Sequence, residues 1–446
     1  MLNNIIVGKH ALESLTTGMY HDAKVIFREY LQNSVDSIKK AINKNIINEN
    51  QGQIYIKLNK KQQRIEITDN GYGLSSKNSV KTLLDIGNSN KNPKNNIGFR
   101  GIGRLSGLGY SKHIKFITSS KGENKKTTVI FDASKLRKIM RKSNNAEILE
   151  VIQGITEYEI NKEKESKHYF KVILNKVKNI DHILEYSWVK RYLTQIAPIP
   201  FKEDEFSFVN KIKGKFKKKG LSINEYEIFL SNSDKTEKLY KNYNDIFYSN
   251  RTRSKHDKIK DVKIEFIKNK RDNIIAALWY SQTNFYGTLK DRKKKGLRLR
   301  KDNIQIGDRS ILNKIFKESR FNGWFQGEVH VYDKQIIPNA RRDNFEKNDI
   351  YKLLLEKLSD IGNHLSNNIR LISNKRSQEK KLDKIYEKID IINGIKNNNI
   401  NNKLINLMDK IPKREKKILD KIFKIIETEF ENEEYNKFIK VIIDKY

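Results

Sequence analysis

Cysteine is absent from the 446 residues, so no disulfide and no thiolate metal site can form. A reducing, cytoplasmic compartment is the expectation. No run of about 18 apolar residues occurs, which predicts no membrane span. The opening stretch MLNNIIVGKHALESL lacks a long apolar core and a small-residue cleavage site, so secretion is not expected. Proline is scarce, but Pro198 and Pro200 fall close together and read as a helix stop after SWVKRYLTQIA. Acidic residues are also short. Asp and Glu total 54 against 90 Lys and Arg, a net charge of +36. A positive field of that size attracts polyanions, so nucleic acid is a candidate partner. The lysines nevertheless spread over every segment, as in a lysine-, asparagine- and isoleucine-rich proteome. The runs KIKGKFKKKG and KDRKKKGLRLRK could track a phosphate backbone, but they read rather as charged hairpin loops.

Hydrophobic residues make up 37% of the chain, enough for a globular protein with real cores. Helical spacing runs from 9 to 44, with Ala11, Leu12 and Leu15 on one face and Val25, Ile26, Leu31, Val35 and Ile38 on a second. QIYIKLNK and RIEITDN alternate apolar and polar residues and predict a hairpin. The stretch from Ser75 to Ser111, rich in Gly, Asn and Ser, reads as a lid. KHIKFITSS, KTTVIFDAS, AEILEVIQGI and HYFKVILNKV read as further strands, which predicts a layer of helices on one sheet. Past Pro200, DVKIEFIKN, IIAALWYSQ, GLRLRKDNIQIG and GWFQGEVHVYD predict strands, and ILNKIFKESRF a helix. Trp279 and Trp324 lie in such strands and read as core. From 347 onward the pattern is helical, broken by NGIKNNNINNK. The expected divisions are 1–190, 191–346 and 347–446. The expected fold is α+β: a two-layer α/β sandwich, then a second α/β domain, then an all-α C-terminal region.

Three motifs carry chemistry. In REYLQNSVDSIKK, Glu29 and Asn33 are four residues apart and share a helix face. A carboxylate there can activate a water at a γ-phosphate, and an amide oxygen suits Mg²⁺. Lys40 lies two turns beyond Asn33 and can face phosphate. In EITDNGYGL, Asp69 at a strand end can accept a hydrogen bond from an exocyclic amine, and Gly71 and Gly73 let a flat base approach. In NIGFRGIGRLSG, Gly98, Gly101 and Gly103, followed by Arg104, expose successive backbone N–H groups that can cradle a triphosphate. No Gly-Lys-Ser/Thr follows, so this is not a P-loop, and no second strand ends in the acidic residue a Rossmann loop requires. Together the three describe a pocket for Mg-ATP.

In this order the motifs resemble the GHKL ATPase superfamily of gyrase, the large heat-shock chaperones, histidine kinases and MutL, over roughly residues 8 to 185. The resemblance implies that Glu29 activates water, Asn33 binds Mg²⁺, Asp69 reads adenine and Gly98 to Gly103 form the lid cradle. Lys40 corresponds to a nucleotide contact of the chaperone branch. The family's late-strand Gly-Thr is replaced here by Tyr169 and Phe170, which predicts different hydrogen bonding under the adenine. Only 28 residues precede Glu29, leaving no room for a phosphoacceptor hairpin, and His10 reads as a surface or packing residue. Asp36 and the presence of a second domain point to the chaperone, gyrase and MutL branches. In the chaperones an Asn-x-x-Arg-acidic loop of the second domain sends an Arg to the γ-phosphate. Asn339-Ala-Arg341-Arg342-Asp343 is similar to that loop and nominates Arg342. The resemblance thus implies an ATPase that works as a homodimeric clamp with a protein client. Alternatives are a nucleic-acid clamp, MutL-like or part of a bacterial defence system, and a nucleotide sensor with little turnover.

Overall fold

A computed structural model describes residues 22–85, 103–141, 147–249 and 255–395. Gly98 and Gly101, His10, the centre of the lid, the first helical face at Ala11 to Leu15 and the chain beyond Ile395 lie outside the described residues. The chain divides into two compact units, 1–369 and 370–446.

Helix α1, Val25–Asn43, buries Ile26, Leu31, Val35 and Ile38 of the apolar set that its spacing predicts, together with Phe27, while Val25 is half-buried. It lies on a mixed sheet. Strands β1 (Gln53–Asn59) and β2 (Arg64–Asp69) form the predicted antiparallel hairpin. Helix α2 (Ser76–Leu84) leads into the lid. After it come β3 (His113–Ser119), β4 (Lys125–Asp132), helices α3 (Ala133–Arg141) and α4 (Ile148–Ile155), β5 (Thr156–Lys162) and β6 (Tyr169–Asn175). AEILEVIQGI, expected as a strand, is mostly helix α4. Its buried residues Val151, Ile152 and Ile155 fall at helical rather than alternating spacing. Helix α5 (Tyr186–Ile196) stops before Pro198, as predicted. Helix α6 (Val209–Lys217) then takes up the lysine run expected to be a loop. Its apolar Val209, Ile212 and Phe216 are buried three and four residues apart while the lysines point outward.

The sheet does not end with α5. Strands β7 (Glu227–Ser231) and β8 (Thr236–Lys238) extend it, giving the order β5-β4-β3-β6-β2-β1-β7-β8. Only the β1–β7 pairing is parallel; its register sets Tyr55 opposite Phe229, and their rings stack at 4.9 Å.

A short hairpin, β9 (Ile246–Ser249) and β10 (Lys255–Lys258), precedes a second sheet. That sheet comprises β11 (Asp261–Lys268), β12 (Ile274–Gln282), β13 (Gly296–Lys301), β14 (Ile304–Gln305) and β15 (Gln326–Val331), in the order β11-β12-β15-β13-β14. Trp279 is fully buried among Phe201, Phe206 and Tyr243, a core residue as expected. ILNKIFKESRF is not a regular helix. It forms two 3-10 turns, Asn313–Ile315 and Ser319–Trp324. At the heart of this sheet Glu328 accepts from Lys241 Nζ at 2.7 Å and Tyr243 OH at 3.1 Å. It also pairs with Arg300 Nε at 2.5 Å and lies 2.9 Å from His330 Nε2.

Helix α7 spans Asp349–Ile395. Up to Ile369 it buries Tyr351, Leu354, Leu358, Leu365 and Ile369. Gly362 allows its backbone to approach the turn at Ile315, where a side chain would meet the Ile315 carbonyl. The second unit is described from Arg370 to Ile395 as helix.

Candidate functional site

Strand β2 alternates cleanly, burying Ile65 and Ile67 and then Asp69 in the same register. A carboxylate in an apolar slot, 2% exposed, is costly unless something pairs with it. Part of the answer is local: Gly71 N–H donates to Asp69 Oδ1 at 3.0 Å. Gly71 also lies against Ser37 of α1, where any Cβ would collide with the serine hydroxyl. Gly73 has φ +68 and faces the Ser119 carbonyl, so both conformation and space require glycine there. The loop after Asp69 is therefore pressed between α1 and β3, forming a floor with glycine at both of its contact points.

Two residues that sequence reasoning missed hold that floor. Thr118 of β3, fully buried, accepts from Leu74 N–H at 2.8 Å and donates to the Tyr169 carbonyl at 3.0 Å. His168 places Nδ1 2.9 Å from the Gly71 carbonyl. Neither stands in a recognisable pattern; a threonine in a strand and a histidine in a loop are ordinary. Phe170 is the register partner of Asp69 on β6 and packs against Phe116 at 5.9 Å.

Helix α1 supplies the opposite wall. Glu29 is 3% exposed and Asn33, one turn on, is half-buried. Lys40 lies over the Tyr72 ring at 4.0 Å, which brings it to the Asp69–Gly73 loop. Gly103, at the start of a 3-10 turn running to Gly109, faces Glu29, and a Cβ there would collide with the carboxylate. Arg104 points elsewhere: its Nε donates to the Leu83 carbonyl at 3.1 Å and its NH2 to that of Asp85. It ties the lid's base to α2, and burial pulls its pKa down to about 10. Its present contacts do not turn it toward a phosphate.

The last component arrives from the second sheet. Arg342, 5% exposed and at φ +55, donates from Nε to Glu29 Oε1 at 2.7 Å, with NH2 3.5 Å from Oε2. Arg28 returns the contact. Its NH1 donates to the Arg342 carbonyl at 3.0 Å and its NH2 to that of Gly307 at 3.2 Å. Arg28 was missed because an arginine on an amphipathic helix normally sits in water; here it is 8% exposed.

Gly103 and Arg342 thus both meet Glu29, and the Asp69–Gly73 loop is drawn to the later turns of the same helix by Gly71 against Ser37 and Lys40 over Tyr72. The site suits a flat base at Asp69 and a polyphosphate running toward Glu29. Among the described residues, no group of three or more His, Asp or Glu could hold a metal by itself. The donor set fits a Mg²⁺ that arrives on phosphate oxygens and takes one amide from Asn33.

Residues 21–165 match the family described as histidine kinase-, DNA gyrase B- and HSP90-like ATPase. The chaperone protein HtpG of Wigglesworthia glossinidia brevipalpis is 28% identical over 145 residues, which cover 28% of this chain and 23% of that protein. The chain thus matches under a quarter of that relative's length. Taken with the helix-on-sheet architecture and the assembled pocket, the match shows that residues 21–165 are similar to the histidine kinase-, DNA gyrase B- and HSP90-like ATPase domain.

Proposed function

We propose that this protein binds Mg-ATP at the α1–β2 pocket, hydrolyses it, and uses the cycle to close and open a homodimeric clamp in the cytoplasm. The observation that carries the reading is the contact between Glu29 and Arg342 beside the Gly103 backbone.

Asp69 accepts a hydrogen bond from the exocyclic amine of adenine, and Gly71 and Gly73 bring bare backbone against the ring. Lys40 lies near the start of the phosphates. Mg²⁺ would neutralise phosphate charge there and orient the γ-phosphate, with Asn33 as its protein ligand. Glu29 takes a proton as water oxygen attacks the γ-phosphorus and the bond to the β–γ bridging oxygen breaks. Arg342 carries the charge that spreads onto the phosphoryl oxygens. A γ-phosphate entering the site competes with Glu29 for Arg342. Substrate therefore frees the base while Arg342 stays at the site.

The test combines two measurements on the full chain. Phosphate release should require Mg²⁺ and ATP, and light scattering should show a larger assembly with a non-hydrolysable ATP analogue than without nucleotide. No turnover in wild type would remove the hydrolase reading; no change in mass would remove the clamp. A protein client follows the similarity to a chaperone. The net charge of +36 favours a second reading, a nucleic-acid clamp. An ATPase rate stimulated by DNA and quenched by salt would select it.

A further inference from the structure

A second cavity, of about 790 Å³, lies between the start of α1, α5 and the second sheet. None of Asn33, Asp69, Gly71, Gly73 or Gly103 lines it, so it is distinct from the nucleotide pocket. Its size is that of an ordinary ligand site. Six cations line it: Lys24, Arg28, Arg191, Arg298, Arg309 and Arg341. Only three carboxylates oppose them, and all three are engaged. Asp22 pairs with Lys24, Asp308 accepts from Ser310 and Asp343 accepts from Asn339.

Among the described residues none of these arginines forms a salt bridge with a carboxylate. Against its burial, Asp308 is drawn down by its Ser310 hydrogen bonds and by the nearby charges of Arg309 and Arg298, without a direct contact to either arginine. Arg298 is 2% exposed and donates only to the carbonyls of Arg292 and Lys293, at 3.1 and 3.3 Å, among the described residues. Burial pulls it down to about 10, and Arg300 and Arg309 push in the same direction. Arg28 is 8% exposed, and its buried Nε has no partner among the described residues. Buried guanidiniums facing other cations are an unfavourable arrangement that a compact anion relieves. One wall is aromatic, with Trp188 and Tyr192 stacked at 5.5 Å.

We propose that this cavity binds a ligand carrying two or more adjacent phosphate groups. Such a ligand concentrates several charges in a small volume, which matches cations converging from three elements on one half-open cavity. Arginine forks suit phosphate oxygens in pairs. The carboxylates of an acidic peptide are spaced along a chain and match the cavity less well. The phosphates can belong to a free polyphosphate or nucleotide, or to the end of a nucleic-acid strand.

The test uses the full chain carrying Asp69→Asn, which disables the ATP pocket, and sodium tripolyphosphate as the probe in calorimetry at roughly physiological salt. Saturable binding is expected, weakened about tenfold or more by Arg191→Gln and again by Arg309→Gln, the scale of losing one charge-assisted hydrogen bond. Arg191 is exposed and Arg309 half-exposed, so neither change should lower the melting temperature, which is measured alongside. No saturable heat, equal affinity in all variants, or loss only on Lys40→Gln would each overturn the proposal. Equal binding of a glutamate oligomer would overturn the assignment to phosphate. Displacement of the probe by a 5′-triphosphorylated strand at lower concentration than by GTP would support a strand end as the source; the reverse order would support a free nucleotide.

Discussion

Arg342 and Glu29 stand 313 positions apart in the chain, yet Nε and Oε1 are separated by 2.7 Å. The helix neighbour of Glu29, Arg28, holds the carbonyl of the same Arg342 at 3.0 Å. Side chain and backbone of one residue are therefore gripped by two successive residues of α1. Arg342 also has φ +55, a conformation that costs a non-glycine residue about 1–3 kcal/mol and persists where the surroundings impose it. The pair is a mechanical joint between the first sheet's helix and the loop after β15.

Removing the carboxylate separates binding from turnover. Glu29→Ala is expected to bind ATP with near wild-type affinity while hydrolysis falls by about 10²- to 10⁴-fold, the usual contribution of a general base. Nucleotide-binding calorimetry and single-turnover phosphate release check the two halves.

Removing the arginine has a different signature. Arg342→Ala should bind ATP and turn it over about 10- to 1000-fold more slowly, the range for loss of a charge-stabilising donor. A rate equal to wild type would detach the second sheet from the chemistry. Arg342→Lys should recover little, since a single ammonium cannot reproduce the fork at Glu29.

The floor of the pocket predicts losses of affinity. Asp69→Asn replaces an acceptor with an amide and should abolish ATP binding. Gly73→Ala forces a side chain into the Ser119 carbonyl at φ +68, and should weaken binding and stability together. Thr118→Val is nearly isosteric but leaves the Leu74 N–H and Tyr169 carbonyl without their partner. A stability loss of about 1–3 kcal/mol is expected in urea denaturation.

Acid should loosen the second sheet. Burial lowers His330 to about 4, against an ordinary value of 6.5, with only partial relief from Glu328. The unfolded chain therefore binds a proton that the folded chain refuses between those limits, and stability falls as pH drops from 6.5 toward 4. Glu328 is held well below the ordinary carboxylate range by Arg300 and Lys241, which outweigh its burial, so it adds to the same acid loss. Denaturation midpoints across that range should slope downward toward acid, and His330→Gln should flatten the slope.

Much of the first sheet was legible because its strands are half-buried. Alternation such as Ile54, Ile56, Leu58 against Tyr55 and Lys57 shows which face meets the helix. Helix α4 was misread because eight residues with five apolar ones fit either period until burial decides. Asp69 was visible as a polar residue at the end of an alternating strand, and Arg342 through the Asn-x-x-Arg-acidic spacing. Arg28, Thr118 and His168 were not, because their roles depend on carbonyls and N–H groups brought near by folding. Backbone partners leave no mark on residue type.

The parallel pairing of β1 with β7 bears on how the chain is made. Until Glu227–Ser231 leaves the ribosome, β1 presents a row of unpaired amide and carbonyl groups, flanked by the half-exposed ring of Tyr55. An open strand edge of that kind recruits other chains. A fragment cut after α5 would carry this defect permanently, whereas one carried through Lys238 would close the edge with β7 and β8. The helix-and-sheet body that houses the pocket therefore matures only once the chain has been made through Lys238.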